Sequence, residues 1–217
     1  MLSSHIAHLN LTHLNVVGLT EKLMTTFSEN TEKADMLESL IFGCLLYSKL
    51  DLLNDLVFFQ NLKQLSICYL QEDKYLKEET DTFNNTIIEP ILMDVCIKLE
   101  ALTIGGLLDN TGAEHISKSI QKYGKITHLR ILNCTNINED ALYEILKHGY
   151  EIRAIDIRGT LGCATGQAFF REAGNVLHSL KTIRMNVVFN QKLYIQENLK
   201  KLYGSKIKLE LIPLKKQ

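Results

Sequence analysis

The 217-residue sequence lacks the features of a membrane protein, a disulfide-stapled protein or a secreted protein. Its longest apolar run falls far short of the roughly 20 residues that span a bilayer, so we expect no membrane partner. Its five cysteines lie at least 24 residues apart, with no Cys-x-x-Cys pair, which favours reduced thiols. The first residues show no basic segment followed by an apolar stretch, so no secretory signal is expected. These absences predict a cytoplasmic or nuclear location.

Sequence patterns that carry chemistry are also missing. The seven histidines include neither His-x-x-x-His nor His-Glu-x-x-His, so we expect no metal site. Gly159, Gly162 and Gly166 lack the Gly-Lys-Ser/Thr ending of a phosphate-binding loop, and we interpret them as turn glycines. Cys134 is predicted to be a buried structural thiol, whereas Cys163 is expected to be the most exposed thiol, without a paired histidine. We therefore predict no catalytic residue, no cofactor, no metal and no enzymatic activity.

Short apolar phrases with the pattern aliphatic-x-x-aliphatic-x-aliphatic recur along the chain. They are Ile6/Leu9/Leu11, Leu37/Leu40/Phe42, Leu62/Leu65/Ile67, Leu99/Leu102/Ile104, Ile126/Leu129/Ile131, Ile152/Ile155/Ile157 and Leu180/Ile183/Met185, followed by the alternating strand Ile207/Leu209/Leu211. The middle residues of the seven phrases are separated by 31, 25, 37, 27, 26 and 28 residues. A period in the twenties is typical of leucine-rich solenoids. A single repeat cannot bury its apolar face alone, so stacked repeats must share one core.

The repeat at residues 124–152 predicts one strand followed by one helix. Leu129 and Ile131 alternate with polar neighbours, as in a short strand. Asn138 is a good N-cap, and Gly149 fits the C-terminal end of the helix. A helix is about 10 Å wide and strands are about 4.8 Å apart, so stacked repeats must curve, with the sheet on the concave side. We predict an α/β leucine-rich repeat solenoid, a horseshoe with a parallel sheet of about eight strands on the concave face and helices on the convex face.

One domain is expected to cover residues 1–217, with a single insertion. The interval of 37 residues between two phrases needs extra length. Residues 71–86 begin with the charged, apolar-poor stretch Glu72-Asp73-Lys74, and we interpret them as an exposed charged loop.

The net charge of −1 conceals an asymmetry between the two halves of the chain. Residues 1–108 hold 7 Lys/Arg and 15 Asp/Glu, whereas residues 109–217 hold 17 Lys/Arg and 10 Asp/Glu. A solenoid keeps sequence order as spatial order, so its two ends should carry opposite charge, which steers partners.

The strand positions between the inward-facing aliphatic residues predict a binding surface on the concave face. The candidate binding residues are His128, Arg130, Arg153, Asp156, Arg158, Lys181 and Arg184. Arg130, Asp156 and Arg184 occupy the same position in successive strands, so they should stand side by side about 4.8 Å apart. This basic patch could bind an acidic peptide or a phosphate backbone. The alternative is a solvated strand face on which Asp156 bridges Arg130 and Arg184.

One repeat carries a family resemblance. The run Ile126-x-x-Leu129-x-Ile131-x-x-Cys134-x-x-Ile137-x-x-x-Ala141-Leu142-x-x-Ile145-Leu146 resembles the cysteine-containing class of leucine-rich repeat. That class is typical of F-box proteins, the substrate receptors of cullin-type ubiquitin ligases, and of their relatives without an F-box. The repeats begin close to Met1, so no F-box helices are expected ahead of them. More weakly, the chain resembles the short leucine-rich factors related to ATP synthase subunit s, which also end in an alternating strand.

The resemblance implies a protein-interaction scaffold or adaptor that recognises other proteins as F-box receptors recognise substrates. The alternative is a structural or assembly subunit of a larger complex, such as a ribonucleoprotein contacted through the basic C-terminal half. A protein partner is expected in both cases, and a nucleic acid partner in the second. Binding that weakens steeply as ionic strength rises would favour phosphate contacts.

Overall fold

The computed structural model describes residues 10–18, 20–45, 47–69, 80–95, 97–171 and 177–214. Eight strands form one sheet, in which each strand pairs in parallel with the next strand along the chain. The strands are β1 (His13–Gly18), β2 (Ser39–Leu45), β3 (Gln64–Tyr69), β4 (Ala101–Gly105), β5 (His128–Leu132), β6 (Ala154–Ile157), β7 (Thr182–Val187) and β8 (Lys208–Pro213). Sequence order is spatial order throughout the sheet, which confirms the predicted α/β solenoid.

Helical segments connect the strands and pack on one another along the stack. The α-helices are α1 (Glu21–Ser28), α2 (Thr31–Asp35), α3 (Asn110–Tyr123), α4 (Glu139–Leu146), α5 (Gln167–Phe170) and α6 (Lys192–Tyr203). The segments Tyr47–Phe58, Leu161–Cys163 and Phe189–Gln191 are 3₁₀-helical, and Thr82–Ile88 and Ile91–Val95 are π-helical. Helix α3 packs on α4, and α4 packs on α5. Since helices are wider than strands, the sheet lines the concave face. No helix in the described ranges is both long and apolar enough to cross a bilayer.

The core lies between the sheet and the helices. Two rows of inward-facing side chains run across the sheet, and each strand contributes one residue to each row. The side chains contributed by β2 to β7 are almost completely buried. The first row holds Leu40, Leu65, Leu102, Leu129, Ile155 and Ile183, and the second holds Phe42, Ile67, Ile104, Ile131, Ile157 and Met185. Complete burial of one such side chain contributes about 1.5–3 kcal/mol, so the rows hold the repeats together.

The first repeat does not follow the predicted frame. Strand β1 pairs Leu14 with Leu40 and Val16 with Phe42, so Leu14 is the counterpart of the middle residue in every later repeat. The prediction that Leu9 holds this position was wrong, and Ile6 and Leu9 themselves lie outside the described residues. The phrase Leu11-x-x-Leu14-x-Val16 also fits the repeat pattern. Pairing with β2 chose between the two frames, because a shifted register would place the aliphatic side chains on the wrong face.

The predicted charged loop is only partly a loop. Residues 70–79 lie outside the described part of the chain, but residues 80–86 are helical, and Phe83 and Asn84 are fully buried. Expecting the whole of residues 71–86 to be exposed was therefore wrong for this second part. The Asn84 side-chain amide donates to the carbonyls of Thr80 (2.7 Å) and Leu107 (3.0 Å), and its carbonyl accepts from the amide of Asp109 (3.3 Å). These bonds tie the segment to the loop that precedes α3. The single-domain assignment stays a prediction.

Candidate binding surface

The predicted side-by-side row on the concave face is present. Arg130 is in register with Asp156, and Asp156 is in register with Arg184. The row continues into β8, where Glu210 is in register with Arg184. Charges of alternating sign therefore stand on four neighbouring strands, β5 to β8. Glu210 was not among the predicted site residues, although the alternating pattern of β8 places it on the same face as Arg184.

Asp156 is the anchor of this row. Only 3% of its surface is exposed, although it lies on the concave face. Arg158 donates to both of its carboxylate oxygens, from Nε to Oδ1 (2.8 Å) and from Nη2 to Oδ2 (2.7 Å). The backbone amide of Arg158 donates a third, longer bond to Oδ1 (3.3 Å). The hydrogen bonds to Asp156 raise the pKa of the Arg158 guanidinium, and the two-pronged geometry is a strong form of this ion pair.

Glu210 completes a cluster of two acids and two arginines. Its Oε2 lies 2.9 Å from Nε of Arg184, a close ion pair whose angle is not that of a hydrogen bond. Nη1 of Arg184 lies 3.9 Å from Oδ2 of Asp156, and Nη1 of Arg158 lies 3.7 Å from Oε1 of Glu210. We call Asp156, Arg158, Arg184 and Glu210 the balanced cluster. Asp156 bridges Arg158 and Arg184, so the predicted bridge between Arg130 and Arg184 was wrong at Arg130.

The other predicted cations have no acidic partner in the part of the chain that the structure describes. Arg130, Arg153 and Lys181 are exposed, and none of them forms an ion pair with a described residue. The amide of Lys181 donates to the carbonyl of Arg153 (2.8 Å), so these two residues are neighbours at the N-terminal edge of the sheet. We call Arg130, Arg153 and Lys181 the unpaired cations. His128 is exposed beside them, with its Nδ1 2.8 Å from Oγ1 of Thr127.

The same edge of the sheet is charge-balanced in the N-terminal half. The backbone bonds that place Lys181 beside Arg153 also place Lys63 beside Glu38 and Glu100 beside Lys63. Nζ of Lys63 lies 2.8 Å from Oε1 of Glu38, and this hydrogen bond lowers the pKa of Glu38. Acidic and basic residues therefore alternate at this edge until β5, after which it is basic only. The edge therefore changes from mixed charge to positive charge, and the opposite charge predicted for the two ends of the solenoid stays a prediction.

The two cysteines considered as nucleophiles are both buried in this fold. Cys134 is fully buried, and burial raises the pKa of its thiol to about 12. Cys163 is also fully buried, with Sγ 3.8 Å from the carbonyl oxygen of Ile137, and burial raises its pKa as well. The expectation that Cys163 is exposed was wrong, because the 3₁₀ turn Leu161–Cys163 points its side chain into the core. Within the described ranges, no three His, Cys, Asp or Glu side chains lie together as a metal site would require.

Alkylation of the native protein tests this burial. We expect Cys134 and Cys163 to resist iodoacetamide at pH 8, since the reacting species is the thiolate and both thiols stay protonated far above this pH. In denaturant both should be alkylated, because their pKa values return to about 8.5. Peptide mass spectrometry reads each site separately. Rapid labelling of either residue in the folded protein would show that its repeat is open to solvent.

The glycine-rich stretch forms turns, as predicted. Gly159 and Gly166 have positive φ angles of 79° and 70°. Gly162 lies so close to the preceding repeat that a β-carbon there would be 2.1 Å from the carbonyl oxygen of Ile137. These glycines thus serve backbone geometry and close packing between repeats.

Comparisons with known proteins show a likeness in structure and none in sequence. No protein-family model matches the chain, and no curated protein does so. The chain is similar in structure to the leucine-rich repeat-containing protein LegL7 from Legionella pneumophila. The TM-score is 0.41 and the sequence identity is 12%, over 94% of this chain and 83% of the LegL7 chain.

Proposed function

We propose that this protein is a non-enzymatic interaction scaffold that binds an acidic segment of a partner protein on the concave face of β5 to β7. The observation that carries the proposal is the contrast between two sets of cations, the arginines of the balanced cluster and the unpaired cations, of which Arg130 lies on the concave face and Arg153 and Lys181 lie at its N-terminal edge. Arg158 and Arg184 are neutralised by Asp156 and Glu210, whereas the unpaired cations have no acid among the described residues. Exposed like charges on adjacent strands repel one another, and an acidic partner removes that repulsion.

The balanced cluster gives the surface a fixed frame. Its ion pairs span β6, β7 and β8 and hold the arginine side chains in place. Arg130 stands beside Asp156 on the neighbouring strand, and Arg153 and Lys181 lie at the N-terminal edge of β6 and β7, so the unpaired cations present positive charge next to a surface that is already ordered. Surface charges of this kind raise association rates and select partners by sign more than they add affinity.

The finer assignment is an adaptor or substrate-recognition subunit like the repeats of F-box proteins. It is supported by the position of Cys134, which lies in the core at the place where the cysteine-containing repeat class has its cysteine. The free thiols Cys68, Cys134 and Cys163 are consistent with our proposal of a cytoplasmic or nuclear location.

A second candidate function is a structural subunit of a ribonucleoprotein. The observation that favours it is the basic C-terminal half, in which Lys200, Lys201, Lys206 and Lys208 are exposed. A phosphate backbone bound there would release counterions, and the logarithm of the affinity would fall linearly with the logarithm of salt concentration. A single-stranded RNA oligonucleotide is the appropriate probe. Saturable, salt-sensitive binding of that probe would support this second function.

Charge reversal tests the proposed function. In affinity purification from native extract, the triple variant Arg130→Glu, Arg153→Glu, Lys181→Glu is expected to lose at least about 90% of each specific partner, since each reversal replaces an attraction with a repulsion. The matched control is Lys98→Glu, Lys118→Glu, Lys122→Glu, which makes the same change in net charge at exposed positions away from β5 to β7. Partner recovery should be unchanged in this control. Equal recovery with both triple variants would refute the concave-face site.

A further inference from the structure

The C-terminal end of the solenoid carries a groove that the concave-face site does not include. It has a volume of about 490 Å³ and lies between β8 and α6. The apolar part of its lining is Ile207, Leu209 and Leu211, and the polar part includes Lys192, Gln196 and Lys200. In every earlier repeat the strand that holds the residues aligned with Leu209 and Leu211 pairs with a following strand. Among the described residues, none follows β8 in the sheet.

The charge around this groove is positive. Lys192, Gln196 and Lys200 are spaced four residues apart, so they lie on one face of α6. The acid in the lining is Glu210, which already pairs with Arg184 and Arg158. The lysines of the groove therefore favour a ligand that carries carboxylates.

The edge of β8 offers backbone hydrogen bonds at the same place. The amides of Lys208 and Leu214 donate to carbonyls on the β7 side, those of Lys181 and Val187. Alternate residues of a strand in a parallel sheet direct their backbone groups to opposite sides. The backbone amides and carbonyls of Leu209 and Leu211 therefore point away from β7, and no described residue forms a hydrogen bond with them. Pro213 is the next residue on that side and has no amide hydrogen, so the usable edge ends there.

We propose that this groove binds an extended acidic segment of a partner protein, which adds a ninth strand to the sheet. Its backbone would pair with Leu209 and Leu211, and its aliphatic side chains would cover theirs. Alternate side chains of a strand point to opposite faces, so its carboxylates would lie on the same face as those aliphatic side chains, where Lys192 and Lys200 of α6 border the groove. Strand addition of this kind takes affinity from main-chain bonds and specificity from side chains that alternate in direction. The proposal concerns a different surface from the unpaired cations and does not depend on them.

The probe is a fluorescein-labelled synthetic peptide of nine residues, Glu-Thr-Val-Thr-Glu-Thr-Val-Thr-Glu, in which glutamate and valine share one face of the strand and threonine occupies the other. Fluorescence anisotropy with the full chain should give a dissociation constant of about 10–100 µM, which is typical of short peptides that lose conformational entropy on binding. The double variant Lys192→Glu, Lys200→Glu should weaken binding at least about tenfold, by turning two attractions into repulsions. Lys201→Glu is the matched control on another face of α6 and should leave the affinity within about twofold. All three positions are on the surface, so the variants should fold normally.

Backbone methylation of the peptide tests the strand addition itself. N-methyl groups on alternate residues block one edge of an extended peptide and leave the other edge free. One methylated set should abolish binding and the complementary set should retain it, because a single edge faces β8. Equal effects of the two sets would overturn strand addition.

Three further outcomes would overturn the proposal. The first is the absence of saturable binding up to about 1 mM peptide, which would mean a binding free energy weaker than about −4 kcal/mol. The second is binding that is lost with Arg153→Glu, Lys181→Glu but kept with Lys192→Glu, Lys200→Glu, since the peptide would then occupy the concave face. The third is concentration-dependent association of the protein with itself that the groove variant removes. That result would assign the groove to a second copy of this chain.

Discussion

Replacing Phe83 with alanine is expected to lower the free energy of unfolding by about 3–5 kcal/mol, the usual cost of removing a buried aromatic side chain. Phe83 is fully buried within the π-helical segment Thr82–Ile88. That segment packs on the 3₁₀-helical residues Tyr47–Phe58 and on α3, so the cavity would open between consecutive repeats. The expected effect is large because packed core can close only partly over a lost ring.

Urea denaturation followed by circular dichroism measures this loss. The midpoint should fall while the dependence of unfolding free energy on urea stays unchanged, as for a change in stability alone. Thr86→Ala is the matched control, since Thr86 is exposed in the same segment and should change stability by no more than about 0.5 kcal/mol. A loss of less than about 1 kcal/mol for Phe83→Ala would mean that residues 80–88 are not part of the core.

The second large effect is expected at Asp156. Asp156→Asn keeps the size of the side chain but removes the charge that both Arg158 and Arg184 face. We expect a loss of about 2 kcal/mol, within the range for hydrogen bonds to charged groups. The value lies below that for a fully buried ion pair, because both arginine side chains keep a large part of their exposure and stay hydrated.

Glu210→Gln is the matched control for Asp156→Asn. Glu210 faces the same two arginines, but its side chain is 44% exposed against 4% for Asp156. We expect it to cost less than about 1 kcal/mol. Raising the salt concentration should shrink the Glu210 effect and leave most of the Asp156 effect, because salt screens exposed charges far more than buried ones. Equal losses at the two positions, with equal salt dependence, would contradict the anchoring role of Asp156.

Much of the fold could be predicted because the repeat pattern is local. The alternation of apolar and polar residues within one segment is enough to predict a strand. The shared repeat period then predicts that the strands stack. The middle residues from Leu40 to Ile183 are aligned as expected. The predicted frame of β1 was wrong because two apolar phrases overlap near residue 11, and only the pairing with β2 distinguishes them. The prediction that residues 80–86 form an exposed loop was wrong because Phe83 and Asn84 follow a charged run, and that run hides the pattern of a buried helical face in the sequence.

The alignment of the candidate site residues on neighbouring strands was predictable from the sequence, but their ion pairs were not. The alignment of Arg130, Asp156 and Arg184 follows from the repeat frame, since equal positions in a parallel stack stand side by side. Which arginine pairs with which acid depends on side-chain reach and on burial. Arg158 lies two residues from Asp156 on the same strand face and takes both of its carboxylate oxygens, a contact that no repeat pattern reveals.

The amino-acid sequence by itself determined the stacked strand-and-helix architecture and the basic character of its C-terminal half, because hydrophobic periodicity and charge are carried by each repeat alone. The tertiary structure decided which cations are neutralised, which thiols are buried and which strand edge has no partner among the described residues. Those properties arise between repeats, where side chains distant in sequence compete for the same partner and the same space. The unpaired cations and the groove beside β8 belong to this second group.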